Sequence, residues 1–217
     1  MMTIATLAQK GGVGKTTLTL HWAVEALRLG QGPVAVVDMD TQQSAVRWAS
    51  RRAAEAPRVL QANADNVARA IDAVREHGFE LVLLDTMPRV SASSVEAAKL
   101  ADFVVIPCGP SPLDIEAISE TVGIVRETNT PAAVVLNRGR HSSGINAEAI
   151  GLLERSYGLP VCPHPVMHRA ALADAFVDGR AVAELEPGGK AADEISATWS
   201  WIHDLCRSET EKARATR

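Results

Sequence analysis

Lys10-Gly11-Gly12-Val13-Gly14-Lys15-Thr16-Thr17 decides how the rest of the chain is read. The apolar run Ile4–Leu7 leads directly into it, and an Ala- and Leu-rich stretch of helical period, Lys15–Leu29, leads out. A glycine-rich turn between a strand and a helix lets backbone N–H groups and the helix N-terminus converge on an anion. The stretch therefore predicts a phosphate cradle formed by Gly11, Gly12, Val13 and Gly14. Its end fits the GxxxxGK(S/T) loop, in which Lys15 reaches the β- and γ-phosphates and the Thr16 hydroxyl binds magnesium. Thr17 is placed to touch the α-phosphate. The start departs from that loop: position 9, where its leading glycine would stand, is Gln9, and Lys10 follows.

Outward from the loop, short β-branched runs alternate with longer helical stretches, the pattern of a parallel sheet covered on both faces. Strands are expected at Ile4–Leu7, Val34–Asp38, Arg58–Gln61, Leu81–Asp85, Phe103–Pro107 and Ala132–Asn137, with a weak edge near Val161. They are apolar on both faces, as buried parallel strands are. Helices are expected at Lys15–Leu29, Ser44–Arg52, Val67–His77, Ser93–Leu100, Ile115–Thr128, Ala147–Tyr157, Ala170–Val177 and Ala191–Cys206. The fold class is α/β: a single-domain, three-layer P-loop NTPase fold with a mostly parallel twisted sheet. The domain should occupy residues 1–206, leaving 207–217 as a polar tail, frayed or disordered, because it has no apolar stripe.

With 217 residues, 47% hydrophobic and 22% charged, the chain can bury one core and not two. A formal net charge of −4 excludes a strongly basic nucleic-acid coat, while leaving room for a local basic face. Cys108, Cys162 and Cys206 lack CxxC spacing and read as reduced thiols of a cytoplasmic protein. A zinc reading of Cys108, Cys162, His164 and His168 lacks a second pair at ligand spacing. The first residues carry no basic leader, and no apolar run reaches the roughly 20 residues of a membrane span.

KGGVGKTT resembles the deviant Walker A loop of the ParA/MinD superfamily, which also includes the nitrogenase iron protein. The resemblance implies an ATPase that binds ATP or ADP with Mg2+ and forms an ATP-dependent homodimer. In that family the first lysine crosses the dimer interface to the partner's nucleotide, a role that falls to Lys10; the bland reading is that Lys10 pairs with a nearby carboxylate in a monomer. Val36-Val37-Asp38-Met39-Asp40 is similar to the family's D-x-D-P-Q segment, with Thr41 in place of proline. Asp40 would position the attacking water, unless it merely caps the next helix, and Asp38 would stand on the magnesium side. Leu81–Asp85 ends in the carboxylate of a Walker B strand, so Asp85 is a second metal-side candidate. Thr86-Met87-Pro88 is similar to the family's D-T-P-P loop from its second position on.

Asn137, at a strand end, resembles the family's adenine-binding position, with a turn asparagine as the plain alternative; Pro163 resembles the loop that packs on the base or is a plain turn proline. Lys190-Ala191-Ala192-Asp193-Glu194 is similar to the late helix of small ParA partition proteins, and the likeness covers nearly the whole chain. It implies non-specific DNA binding, nucleoid association and an activating ParB-like partner. DNA candidates are Arg138, Arg140, Arg169, Arg180, Lys190 and Arg207, each of which could equally be a solvated surface charge. The end of the chain offers no bulky apolar face for membrane attachment. Two other readings stand beside partition: a scaffold-positioning ATPase that binds no DNA, and an ATP-dependent ligase of the dethiobiotin synthetase type.

Overall fold

The structure is a computed structural model and describes residues 1–88, 92–141 and 144–215, Arg214 by its backbone only. The elements run β1 (Met2–Thr6), α1 (Lys15–Arg28), β2 (Val34–Asp38), α2 (Ser44–Arg51), β3 (Arg58–Gln61), α3 (Val67–Glu76), β4 (Leu81–Asp85) and α4 (Ala92–Leu100). They continue β5 (Phe103–Cys108), α5 (Pro112–Ala117), α6 (Ser119–Glu127), β6 (Ala132–Gly139), α7 (Ile145–Tyr157), β7 (Val166–Met167), α8 (Ala170–Asp174), a 3-10 turn (Ala175–Asp178), α9 (Val182–Leu185) and α10 (Lys190–Ala215). The seven strands form a parallel sheet in the order β3-β2-β4-β1-β5-β6-β7.

Alternation along each strand feeds two cores. Ile4, Val34, Val36, Leu81 and Leu83 turn to one face, where α1 and α10 pack. Ala5, Ala35, Val37, Val82 and Leu84 turn to the other, against α3, α4, α6 and α7. Both faces being covered explains why the central strands read as unbroken apolar runs. The order also matters for chemistry: β1 lies between β4 and β5, so the loop leaving β1 opens between the carboxyl ends of those two strands.

Several elements differ from the sequence reading, among them α9, where no helix was expected. The helix expected at Ile115–Thr128 is two, α5 and α6, parted at Ile118, and α5 starts at Pro112 because Ser111 and Asp114 form a reciprocal capping box. The edge strand is Val166–Met167, while Val161 makes only an isolated bridge to Val134. The helix expected over Ala170–Val177 stops at Asp174 and continues as the 3-10 turn.

The tail expected from residue 207 is instead the end of α10, which runs to Ala215; the last two residues lie outside the described ones. Helix continues because Lys212 bridges to Glu209, Arg207 faces Glu211 one turn on, and Thr210 Oγ1 donates to the Cys206 carbonyl. Among the described residues no helix is long and apolar enough to cross a membrane.

Candidate nucleotide-binding site

The loop leaving β1 is shaped by two left-handed glycines, Gly12 (φ 75°) and Gly14 (φ 99°), the latter at the N-cap of α1. Gly14 could not carry a side chain, since a Cβ there would collide with the Asn137 amide. That amide donates from Nδ2 to the Val13 carbonyl at 2.7 Å, tying the end of β6 to the loop. Asn137 is 5% exposed, and the bond engages one of the two N–H donors of the side chain expected to meet adenine. Pro163 is exposed in the turn before β7.

Lys15, Thr16 and Thr17 form the first turn of α1. Lys15 is buried; burial pushes its ammonium below the usual lysine range, and the carboxylates of Asp85 and Asp40 pull it back up. Register sets Asp85 beside Asp38, two residues before Asp40, and beside Thr6 on its other side.

Asp85 is fully buried, and among the described residues neither carboxylate oxygen has a hydrogen bond of normal geometry, although the Thr16 side chain lies close enough to favour the charged form. Burial pushes its pKa up to about 7; Thr16 opposes the rise, Asp38 adds to it, Lys15 opposes it and Asp40 adds to it. Two orphaned oxygens at the floor of a phosphate loop suit a hydrated divalent cation, since an unpaired buried carboxylate is otherwise unfavourable. The residues present therefore fit magnesium held with nucleotide, with Asp85 and Thr16 as its protein-side groups.

Asp38 is occupied differently from the metal-side expectation. Its Oδ1 accepts from Asp40 N at 3.0 Å and its Oδ2 accepts from Ala45 N at 2.9 Å and Val46 N at 3.2 Å. It thus caps the N-terminus of α2 from seven residues away and fixes the backbone of Asp40. Burial raises its pKa while these N–H donors lower it. Asp40 is half-buried and accepts from Gln42 N at 2.9 Å, an Asx turn that holds its side chain at the lip of the site.

Lys10 turns outward to α5. Its Nζ lies 2.5 Å from Asp114 Oδ1, with 47% of its side chain exposed. Asp114 in turn accepts from the Ser111 hydroxyl at 2.6 Å. Sequence reasoning did not single out Asp114, although Ser111-Pro112-Leu113-Asp114 carries the capping signature that would have placed it.

The six basic candidates separate. Arg169 is bidentate to Glu194, Arg180 pairs with Asp178, and Arg207 faces Glu211. Among the described residues Arg138, Arg140 and Lys190 have no ion pair, and all three are exposed. Arg138 sits at a bulge of β6 with φ 58°, which turns the strand beside β7. Cys108, Cys162 and Cys206 are buried free thiols, and no three His, Cys, Asp or Glu among the described residues converge as metal ligands.

Residues 4–182 match the family described as the CobQ/CobB/MinD/ParA nucleotide binding domain. The maintenance of carboxysome distribution protein A of Halothiobacillus neapolitanus is 34% identical over 205 residues, covering 89% of this chain and 93% of the relative. Among solved structures, the MinC:MinD cell division complex of Aquifex aeolicus superposes with a TM-score of 0.77 at 16% identity, covering 94% of this chain and 96% of that one. MinD of Pyrococcus horikoshii with Mg-ADP gives a TM-score of 0.76 at 13% identity, covering 96% and 98%.

Proposed function

The chain belongs to the CobQ/CobB/MinD/ParA nucleotide-binding family, and from that premise we propose that it is an ATPase that works as a nucleotide-switched dimer to position a cargo. One observation carries the reading: Lys10 stays 47% exposed at the rim of the phosphate loop while Lys15 is buried inside it, although within the single chain Lys10 pairs with Asp114, as the bland reading expected. Carried across an interface, its charge meets the negative charge that grows on the transferring phosphoryl group. Lys15 holds the phosphates from within, and Asp40, fixed through its own N–H by Asp38, orients the attacking water. Asp85 and Thr16 would hold magnesium with the nucleotide, and the ion would supply charge neutralisation at the phosphates.

The 34% identity to a carboxysome-distribution protein over nearly the whole of both chains supports a protein assembly as cargo, alongside plasmid or chromosome. Non-specific DNA is held by Arg138, Arg140 and Lys190, the basic candidates without an ion pair among the described residues. A ParB-like partner or its equivalent triggers hydrolysis. A scaffold without DNA binding is the competing reading, favoured by the pairing of Arg169, Arg180 and Arg207.

Light scattering with ATP, with and without duplex DNA, tests the proposal. Lys15→Ala should bind no nucleotide, while Asp40→Ala should bind ATP and remain dimeric without turnover. Wild-type turnover in Asp40→Ala would remove the assigned role, and salt-insensitive or absent DNA retention would select the scaffold.

A further inference from the structure

The outer face of α2 is basic and stands next to an exposed apolar residue. Arg47 and Arg51, one turn apart, are both exposed, and neither has a carboxylate partner among the described residues. Arg47 donates to the Gln42 carbonyl. The inner face is fixed. Trp48 is fully buried and donates from Nε1 to the Arg180 carbonyl at 3.0 Å, and Arg52 is bidentate to Glu184 at 2.7 Å while stacking 4.9 Å above the Trp48 ring. Gly179 packs so tightly on the Arg51–Arg52 backbone that a Cβ would not fit. Val177, two residues earlier, is 77% exposed on the 3-10 turn that packs against α2. Arg180 is neutralised by Asp178, so the charge of this face comes from Arg47 and Arg51.

We infer that this face, Arg47 and Arg51 with Val177, is the docking surface for an acidic protein segment bearing an apolar residue. The inference rests on the switch reading and supplies the chemistry of its activating partner. Charge complementarity selects acid on a protein whose own net charge is −4. The neighbouring apolar side chain favours a polypeptide over nucleic acid. The face also lies on the β2 side of the sheet, while Arg138 and Arg140 lie at β6, four strands away and roughly 19 Å at normal strand spacing.

Its position gives docking a route to the chemistry. The same helix ends, roughly 12 Å from its far turn, on the Asp38 carboxylate that holds the Asp40 backbone. A segment that shifts α2 moves the residue assigned to the water.

The test uses the full chain with ATP and magnesium, fluorescein-labelled short peptides in which Glu and Leu recur at helical spacing, and random-sequence duplex DNA. At least one peptide should bind at low salt and raise turnover. Reversing both charges, Arg47→Glu with Arg51→Glu, should weaken it at least tenfold, about 1.4 kcal/mol; Val177→Asp should weaken it too, and the double Lys variant should retain it. Duplex binding should be unchanged in all of them. No binding across the peptide panel, peptide binding indifferent to the double reversal, or duplex binding that falls with it would overturn the inference. Fluorescent-ATP binding and ATP-dependent dimerisation are read on the same samples: their loss in the wild type refutes the switch itself, whereas peptide failure with both intact refutes only the docking face.

Discussion

Lys10 Nζ lies 2.5 Å from Asp114 Oδ1, an ion pair that joins the phosphate loop to α5 across 104 residues of chain. Burial alone would raise the Asp114 carboxyl, but hydrogen bonds from Lys10 and Ser111 hold it below its usual value. A lysine that serves a partner's nucleotide must first leave this carboxylate. Asp114→Asn should therefore let the ATP-bound dimer form at a protein concentration lower by a factor of roughly two to five, the range a partly exposed ion pair supplies. Sedimentation at low and high salt checks it, since salt should narrow the difference. Unchanged or weaker dimerisation would show that Lys10 is not restrained by Asp114.

Asp85 gives a pH prediction whose sign is fixed by burial. Its folded pKa is about 7, against an ordinary value of 3.8, so the folded state holds a proton that the unfolded chain releases earlier. Stability from this group is complete below pH about 4 and is lost as pH rises to about 7, by up to about 4 kcal/mol. Denaturation of the nucleotide-free protein across that window should show wild type falling relative to Asp85→Asn. The same variant should lose the extra stabilisation that magnesium and nucleotide give together. Parallel pH profiles for the two proteins would contradict the assignment.

Much of this was legible in the sequence because it is local. The strand ends at Asp38 and Asp85, the glycine loop and the start of α1 are each written within a few residues. What was not legible depends on partners far along the chain. Asp38 reads as a metal-side acid in the sequence, and only the fold shows that its oxygens also accept from the backbone of Ala45 and Val46. Arg169 looked like a DNA contact, but Glu194 comes to it from the first turn of α10. The tail misled for another reason: its charges pair at helical spacing, which stabilises a helix without any apolar stripe to announce it.

Asp38 separates two roles by a measurement that needs no ligand. An acid whose sole duty is on the metal side leaves the nucleotide-free protein as stable when it is removed. Asp38→Ala instead leaves three backbone donors unpaired, one at Asp40 and two at the start of α2, a loss of roughly 2–4 kcal/mol. Urea denaturation without nucleotide should show that loss, and amide exchange should speed up first at Ala45 and Val46. Wild-type stability would return Asp38 to the metal side.

Asn137 carries the last prediction, because one amide is asked to do two things. Its Nδ2 is held by the Val13 carbonyl, which leaves Oδ1 as the group free to accept from an adenine amino group. Asn137→Ala should therefore loosen the phosphate loop and lower affinity for any nucleoside triphosphate, by about 1 kcal/mol or some fivefold. If Oδ1 also reads the base, the variant loses its preference for ATP over GTP as well. Titrating both nucleotides into wild type and Asn137→Ala separates the two contributions. An equal loss for both assigns Asn137 to the loop alone, and a changed preference with unchanged affinity for GTP assigns it to the base alone.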